Sequence, residues 1–400
     1  SLAVGCYSCR VGVYRRDAFL LGCLLASRRM QADSQHKLLD AFSPSYEVAR
    51  DRFRQAALRL GARIDTHTLD ALGPANGTLT IDVAIVGDAQ PQSSAVVSSG
   101  LHGVEGFFGS AVQLAWLQAV ADGRTAIPAR NAVTLVHAVN PFGFAWRRRA
   151  NEDNVDLNRN FLRAGEFYAG ASSRYGEFDG FLNPPTPPSR LEPFPLKVAW
   201  HAWRFGMVVL RNGVAVGQYA YPTGLFFGGS GPSQSARIMQ QQFWEWVRPS
   251  RSVVHVDLHT GLGRSQRCQL LVEPVEMPHL NWYRAEFGAD DVVSVADEGV
   301  YQARGVMGAW LSHEAEGLLY RFICAEFGTY SMLRVLAALR AENRAYHHGD
   351  PDHPVFERAK RELVECFCPM SSNWRSAVVQ SGMQVIAAAV TAARRLAEPL

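Results

Sequence analysis

Residues 95–106 read Ala-Val-Val-Ser-Ser-Gly-Leu-His-Gly-Val-Glu-Gly, and they set the fold class. The apolar run 95–98 has the length and composition of a short buried strand, and Gly100 ends it. Further on, Val112, Leu114, Ala115 and Leu117 predict a helix over 110–120. A buried strand, a glycine loop and a helix in that order are the repeating unit of an α/β sheet. Two more apolar runs, 132–139 and 253–258, end at Asn140-Pro141 and near Gly261 and predict further buried strands. Residues 79–86 alternate as a strand after the Asn76-Gly77 turn. Residues 43–60 carry Ala49, Phe53, Ala56, Ala57 and Leu60 at helical spacing, with Ser43 or Ser45 to cap them.

The middle and the end of the chain read differently. Residues 162–235 lack a clear period and contain Asn183-Pro-Pro-Thr-Pro-Pro-Ser189, which cannot continue a helix or a central strand. Gly224, Gly228, Gly229 and Gly231 mark a second loop. This stretch is expected to be an irregular insertion covering one face of the sheet. The C-terminal part is expected to be helical over 329–346, 355–366 and 375–396.

Composition narrows the function classes. Forty Lys and Arg against thirty-seven Asp and Glu, in 400 residues, leave a net charge of +3 and little field for a polyanion, so no nucleic-acid partner is expected. A 48% hydrophobic content supports a large core and excludes disorder. The longest apolar runs fall short of the roughly 18 residues that span a bilayer, so no membrane partner is expected. The seven cysteines are scattered, with only one CxxC (Cys6, Cys9), and support neither a cysteine zinc site nor a disulfide framework.

Residues 1–29 hold Arg15, Arg16 and a short apolar stretch, but no complete secretory signal. They are expected to be an upstream extension or leader before Met30, with 30–400 forming one catalytic domain. A cytoplasmic location is the corresponding expectation, which a leader at 1–29 would change.

Four clusters carry chemistry. His102 and Glu105 lie three residues apart in the glycine loop after a strand, where ligands bind in open α/β sheets. His255, Asp257 and His259 alternate along one strand face. His259, at the strand end, is expected to be a metal ligand, His255 a core residue and Asp257 a partner that orients an imidazole. Two imidazoles and a carboxylate make a three-ligand catalytic zinc set with an open fourth position. Arg147, Arg148 and Arg149 follow Asn140-Pro-Phe-Gly-Phe, and Asn158-Arg159 follows them. Guanidinium groups there suit a carboxylate or a developing oxyanion, or else a solvated turn paired with Glu152, Asp153 and Asp156. Glu326, in Cys324-Ala-Glu-Phe-Gly-Thr329, is a carboxylate among apolar residues, costly unless it is paired or working.

Taken in order, H-x-x-E, N-P-x-G-F with arginines, D-L-N-R-N-F, D-L-H-T-G and E-F-G-T resemble the zinc carboxypeptidase superfamily. An uncharacterised bacterial branch related to succinylglutamate desuccinylase and aspartoacylase is the best match, over residues 43 to the C-terminus. The resemblance implies a three-layer α/β/α sandwich around a mixed, mostly parallel sheet. It implies one Zn2+ per chain held by His102, Glu105 and His259, a general base at Glu326 and a substrate-carboxylate clamp at Asn158 and Arg159. Arg149, with Arg148 as competitor, matches the arginine that stabilises the oxyanion. Tyr301-Gln302-Ala303 is similar to a tyrosine segment of digestive carboxypeptidases, but no catalytic role is expected of it. The expected activity is metallocarboxypeptidase hydrolysis of a small peptide with a free carboxylate. An N-acyl amino acid deacylase and a non-catalytic binding protein of the same fold are the alternatives.

Overall fold

The computed structural model describes residues 37–171, 173–189, 191–206, 216–294 and 303–398. The readings of residues 1–29, and of Tyr301 and Gln302, lie outside the described residues.

All seven residues of Ser93–Ser99 (β3) are buried, as a strand covered on both faces must be. Around it run β1 (Arg63–Leu72), β2 (Thr78–Gly87), β4 (Asn131–His137), β5 (Ser252–Thr260), β6 (Cys268–Val272), β7 (Val292–Ser294) and β8 (Leu319–Phe327). They form one mixed sheet in the order β1-β2-β4-β3-β5-β8-β6-β7. The central pairs β4–β3, β3–β5 and β5–β8 are parallel. The pairs β1–β2, β2–β4 and β6–β8 are antiparallel.

Helices cover both faces, giving three α/β/α layers. On one side lie α1 (Tyr46–Arg59), α2 (Gly106–Ala121) and, at the chain's end, Ser372–Ala397. Ser45 caps α1 by accepting from Val48 N. Phe53, Phe108 and Ile386 from these helices meet Val97, Leu135 and Val256 of the sheet. Truncating a fully buried phenylalanine such as Phe108 costs about 3–5 kcal/mol. The terminal helix is the one among the described residues long and apolar enough to cross a membrane by composition; it packs on β5, β3 and α2.

After the short α3 (Pro141–Ala145) come α4 (Ser173–Leu182), α5 (Phe194–Phe205) and α6 (Gln234–Val247). Then come α7 (Leu280–Phe287), α8 (Met307–Glu314), α9 (Met332–His348), α10 (Pro354–Phe367) and the terminal α11. Met239 and Phe243 of α6, with Met307 and Leu311 of α8, pack on Val96, Val136 and Phe322 of the second sheet face.

Among its described residues, the stretch read as irregular therefore contains the helices α4 and α5 and the start of α6. Phe178, Phe181 and Val198 of α4 and α5 share a core with Leu336 and Leu339 of α9 and Leu363 of α10. The proline run between them is held by Arg344, which donates to the carbonyls of Thr186 and Pro187. The prolines set the turn; α5 begins after it, with Pro195 in its first turn.

Candidate active site

The parallel register of β5 and β8 places His259 beside Glu326, and that of β3 and β5 places Ser98 beside Asp257. His102 and Glu105 lie in the turn between β3 and α2. Glycine is required there: a Cβ at Gly103 would fall 2.2 Å from the Gly143 carbonyl carbon, so the loop and α3 meet backbone to backbone.

The β3–β5 pairing, with Ser99 beside Leu258, brings His102, Glu105 and His259 together. One donor atom from each lies within 4.8 Å of the others, and all three residues are buried. His259 Nδ1 is 3.0 Å from Glu105 Oε2, and its Nε2 is 2.6 Å from Asp257 Oδ2. Asp257 in turn accepts from Ser98 Oγ at 2.6 Å. His255 takes no place in the cluster; it bonds Ser98 Oγ and the Tyr320 hydroxyl, as a core histidine does.

His102 is flanked by a second acid. Its Nδ1 lies 3.3 Å from Asp156 Oδ1 but makes no hydrogen bond, and its Nε2 is 2.7 Å from Arg149 Nη2. Arg149 also donates from Nε to Asp156 Oδ2 at 3.1 Å and stands 3.7 Å from Glu105 Oε1.

The electrostatics follow from burial opposed by near charges. Burial would raise Asp156, but Arg149, His102 and Arg159 outweigh it and hold its carboxyl well below the usual range. Burial and the Arg149 cation push His102 down. For His259, burial is overcome by Asp257 and Glu105, which push it up. Burial raises Glu105 despite His259 beside it. Glu326 is pushed up to about 7 by burial and by the charge of Glu105, while its Oε1 accepts from Leu262 N at 2.8 Å.

This donor set fits a zinc ion. Two imidazoles and a carboxylate converge, and each imidazole has a buried acid at one ring nitrogen, Asp156 at Nδ1 of His102 and Asp257 at Nε2 of His259. His102, Glu105 and His259 would be the residues to hold it.

All seven candidate residues line one cavity of about 850 Å³. Asn158 Oδ1 accepts from Met307 N at 3.1 Å, which fixes its amide. Arg159 Nη1 donates to Asn158 O at 2.6 Å. Gly217, at φ +84°, lets the chain cross against the Arg159 side chain, where a Cβ would fall 2.7 Å from Cδ. Arg148 stays outside the cavity: it donates to Glu342 at 2.9 Å and to Asn154 at 2.9 Å, and stacks on Tyr346. Of the two competing arginines, the structure brings Arg149 to the site.

Two acids were missed as members of the site. In the sequence Asp156 reads only as a partner for a basic turn; its place in D-L-N-R, two residues before Asn158, is the available signal. Glu273 lines the cavity just past β6, a strand too short to read from its period.

A family model described as "Protein of unknown function (DUF2817)" matches residues 42–381, and the chain belongs to that family. No curated protein matches it. Among solved structures it is similar to bovine thrombin-activatable fibrinolysis inhibitor in complex with tick carboxypeptidase inhibitor. That likeness is 12% identical over 86% of this chain and 98% of the other, with a TM-score of 0.46. It is also similar to carboxypeptidase A from Helicoverpa armigera, at 12% identity over 87% and 86%, TM-score 0.42. A succinylglutamate desuccinylase from a Silicibacter species matches at 15% identity over 72% and 67%, TM-score 0.37.

Proposed function

We propose that this DUF2817 member is a zinc-dependent hydrolase that cleaves an amide bond next to a free carboxylate, acting as a metallocarboxypeptidase. One observation carries the reading. A buried His-Glu-His donor set, an acid at the edge of the same cavity and a clamp of one amide and one guanidinium converge on one space.

A zinc ion held there would polarise a carbonyl and acidify a water molecule. The rest is the work of the chain's own groups. Glu326, with burial setting its affinity for a proton near neutrality, takes a proton from water at Oε2, because Oε1 is engaged by Leu262 N. The same carboxyl then gives that proton to the leaving nitrogen. Asn158 and Arg159 hold the substrate's carboxylate and set its distance from Glu326, which is positioning rather than chemistry. Arg149 turns its guanidinium toward the negative charge that develops on the carbonyl oxygen. Asp156 holds that guanidinium by its Nε, with Nη2 against His102 Nε2 and Nη1 turned to the site.

A cavity of about 850 Å³ lies toward the upper end of the size range of ligand sites and suits a short peptide. An N-acyl amino acid deacylase would use the same groups in a smaller pocket. Retention of Glu326 beside the donor set speaks against a binding protein without catalysis.

The test is a hydrolysis screen of zinc-loaded protein against N-blocked dipeptides and N-acyl amino acids. Release of a C-terminal residue from dipeptides is expected. Cleavage of short N-acyl amino acids alone would replace the carboxypeptidase with the deacylase, and cleavage of neither would remove the hydrolase.

A further inference from the structure

One residue of the glycine loop 224–231 reaches the catalytic cavity: Phe226 lines it together with Arg149. The proposed mechanism does not use it. Its backbone lies at φ +58°, in the left-handed region, and no other aromatic among the described residues does so. A residue with a Cβ is strained there and glycine is not, although Gly224 and Gly228 stand only two residues away on either side. The surrounding chain holds this conformation from both directions. Leu225 N donates to Asn183 Oδ1 at 2.9 Å, and the Leu225 carbonyl accepts from the Tyr175 hydroxyl at 2.7 Å. The Phe226 carbonyl accepts from Gln218 N at 3.1 Å, and the Phe227 carbonyl accepts from Asp156 N at 2.7 Å. Leu225 and Phe227 are buried in two separate cores, and the ring between them is turned to the cavity. Strain kept under such constraint points to a side chain with a function.

We propose that Phe226 is a positioning residue for Arg149: its ring covers one face of the guanidinium and fixes the plane in which that group meets the reacting carbonyl. This rests on the proposed amide hydrolysis. Arg149 Cζ lies 5.4 Å from the ring centroid, within reach of the attraction between a cation and the negative face of an aromatic ring. The edge of the guanidinium is held already, by Asp156 at Nε and by His102 at Nη2. Bonds along one edge let a planar group rock about that edge. A ring against its face removes this freedom and keeps water away, and a donor held in place before charge develops costs no reorganisation when it does. Asp156 ties the two parts together. Its N–H bonds the Phe227 carbonyl while its Oδ2 holds Arg149 Nε, so one residue sets the spacing between ring and guanidinium.

Kinetics and hydrogen exchange on zinc-loaded protein test the assignment. Phe226→Leu keeps apolar bulk but not the aromatic face. It should lower kcat on N-blocked dipeptides by roughly threefold to thirtyfold, the range of one cation–π contact, with KM and zinc content at their wild-type values. Phe226→Tyr, which keeps the face, should restore most of the rate. Phe226→Gly should melt higher than Phe226→Ala, because glycine relieves the left-handed backbone. The second readout needs no turnover. In isotope-labelled protein the Arg149 Nε–H resonance, identified by its loss in Arg149→Met, should exchange with water faster in Phe226→Leu than in wild type, and Phe226→Tyr should slow it again. A kcat and an exchange rate both unchanged in Phe226→Leu, or a rise in KM alone, would overturn the assignment. Phe226→Gly melting no higher than Phe226→Ala would remove the strain from which the role is inferred and overturn it too. Faster exchange in variants of a protein that hydrolyses nothing would remove the hydrolase and leave the ring and guanidinium paired. Hydrolysis indifferent to Phe226 would do the reverse.

Discussion

Nε2 of His259 lies 2.6 Å from Oδ2 of Asp257, two residues back on the same face of β5. The contact holds the ring so that Nδ1 points at Glu105. It makes one acid responsible for the direction of a donor atom it does not share.

Asp257→Asn should therefore weaken zinc binding without unfolding the protein. Loss of such a supporting acid costs about 10- to 100-fold in metal affinity. Competition against a chromophoric chelator measures this, and an unchanged affinity would show that the ring is held by other contacts.

The neighbouring arginines should separate by phenotype. Arg148 is fully buried and shares Glu342 with Lys360, whose Nζ donates at 2.6 Å. Arg148→Met breaks a buried ion pair and should cost about 3 kcal/mol, read as a fall in Tm. Arg149→Met also unpairs buried Asp156 and should lower Tm, but its mark is a kcat lower by about 100-fold or more, as loss of an oxyanion donor brings. Equal kinetic losses in both variants would contradict the assignment of Arg149.

Gly217→Ala tests the clamp from behind. The new methyl would press on Cδ of Arg159 from a backbone position at φ +84°. KM should rise several-fold while zinc content stays at the wild-type value. A change in zinc content with KM unaltered would place Gly217 in the metal site instead.

Acid stability should report on Glu192, which ties α5 to α9. Burial opposes its ionisation, but hydrogen bonds from Lys197, Arg340 and Arg344 win and bring it down to about 2. A carboxyl with a depressed folded value contributes stability above its ordinary value near 4.5, and loses it as pH falls toward 2. Glu192→Gln should thus melt lower than wild type at pH 7, with the gap closing between pH 4.5 and 2. A gap that stays constant across that window would show that the ion pairs contribute nothing.

How much of this was legible depended on packing. β3, β4 and β5 were readable because strands buried on both faces are continuous apolar runs. β1 was not, since its residues are largely exposed and mix charge with threonine. β8 hides its period because Arg321 and Glu326 interrupt it for reasons of contact and site. α5 looked irregular in sequence because prolines surround it, yet Phe194, Val198 and Phe205 give it a buried side. The donor residues were legible because they sit at fixed spacing at strand ends. Asp156 and Glu273 were not, because the one sits in a loop and meets His102 only in the folded chain, and the other follows a strand placed by its pairing with β8.

The central claim is that His102, Glu105 and His259 form a zinc site. Its most direct test is the zinc content per chain, by plasma emission, of zinc-loaded protein after exhaustive dialysis. The account predicts one zinc per wild-type chain, a large loss in His102→Ala and His259→Ala, and no loss in His255→Phe, which keeps a ring in the core. Zinc retained at one per chain in both ligand variants, or absent from the wild type, would contradict it.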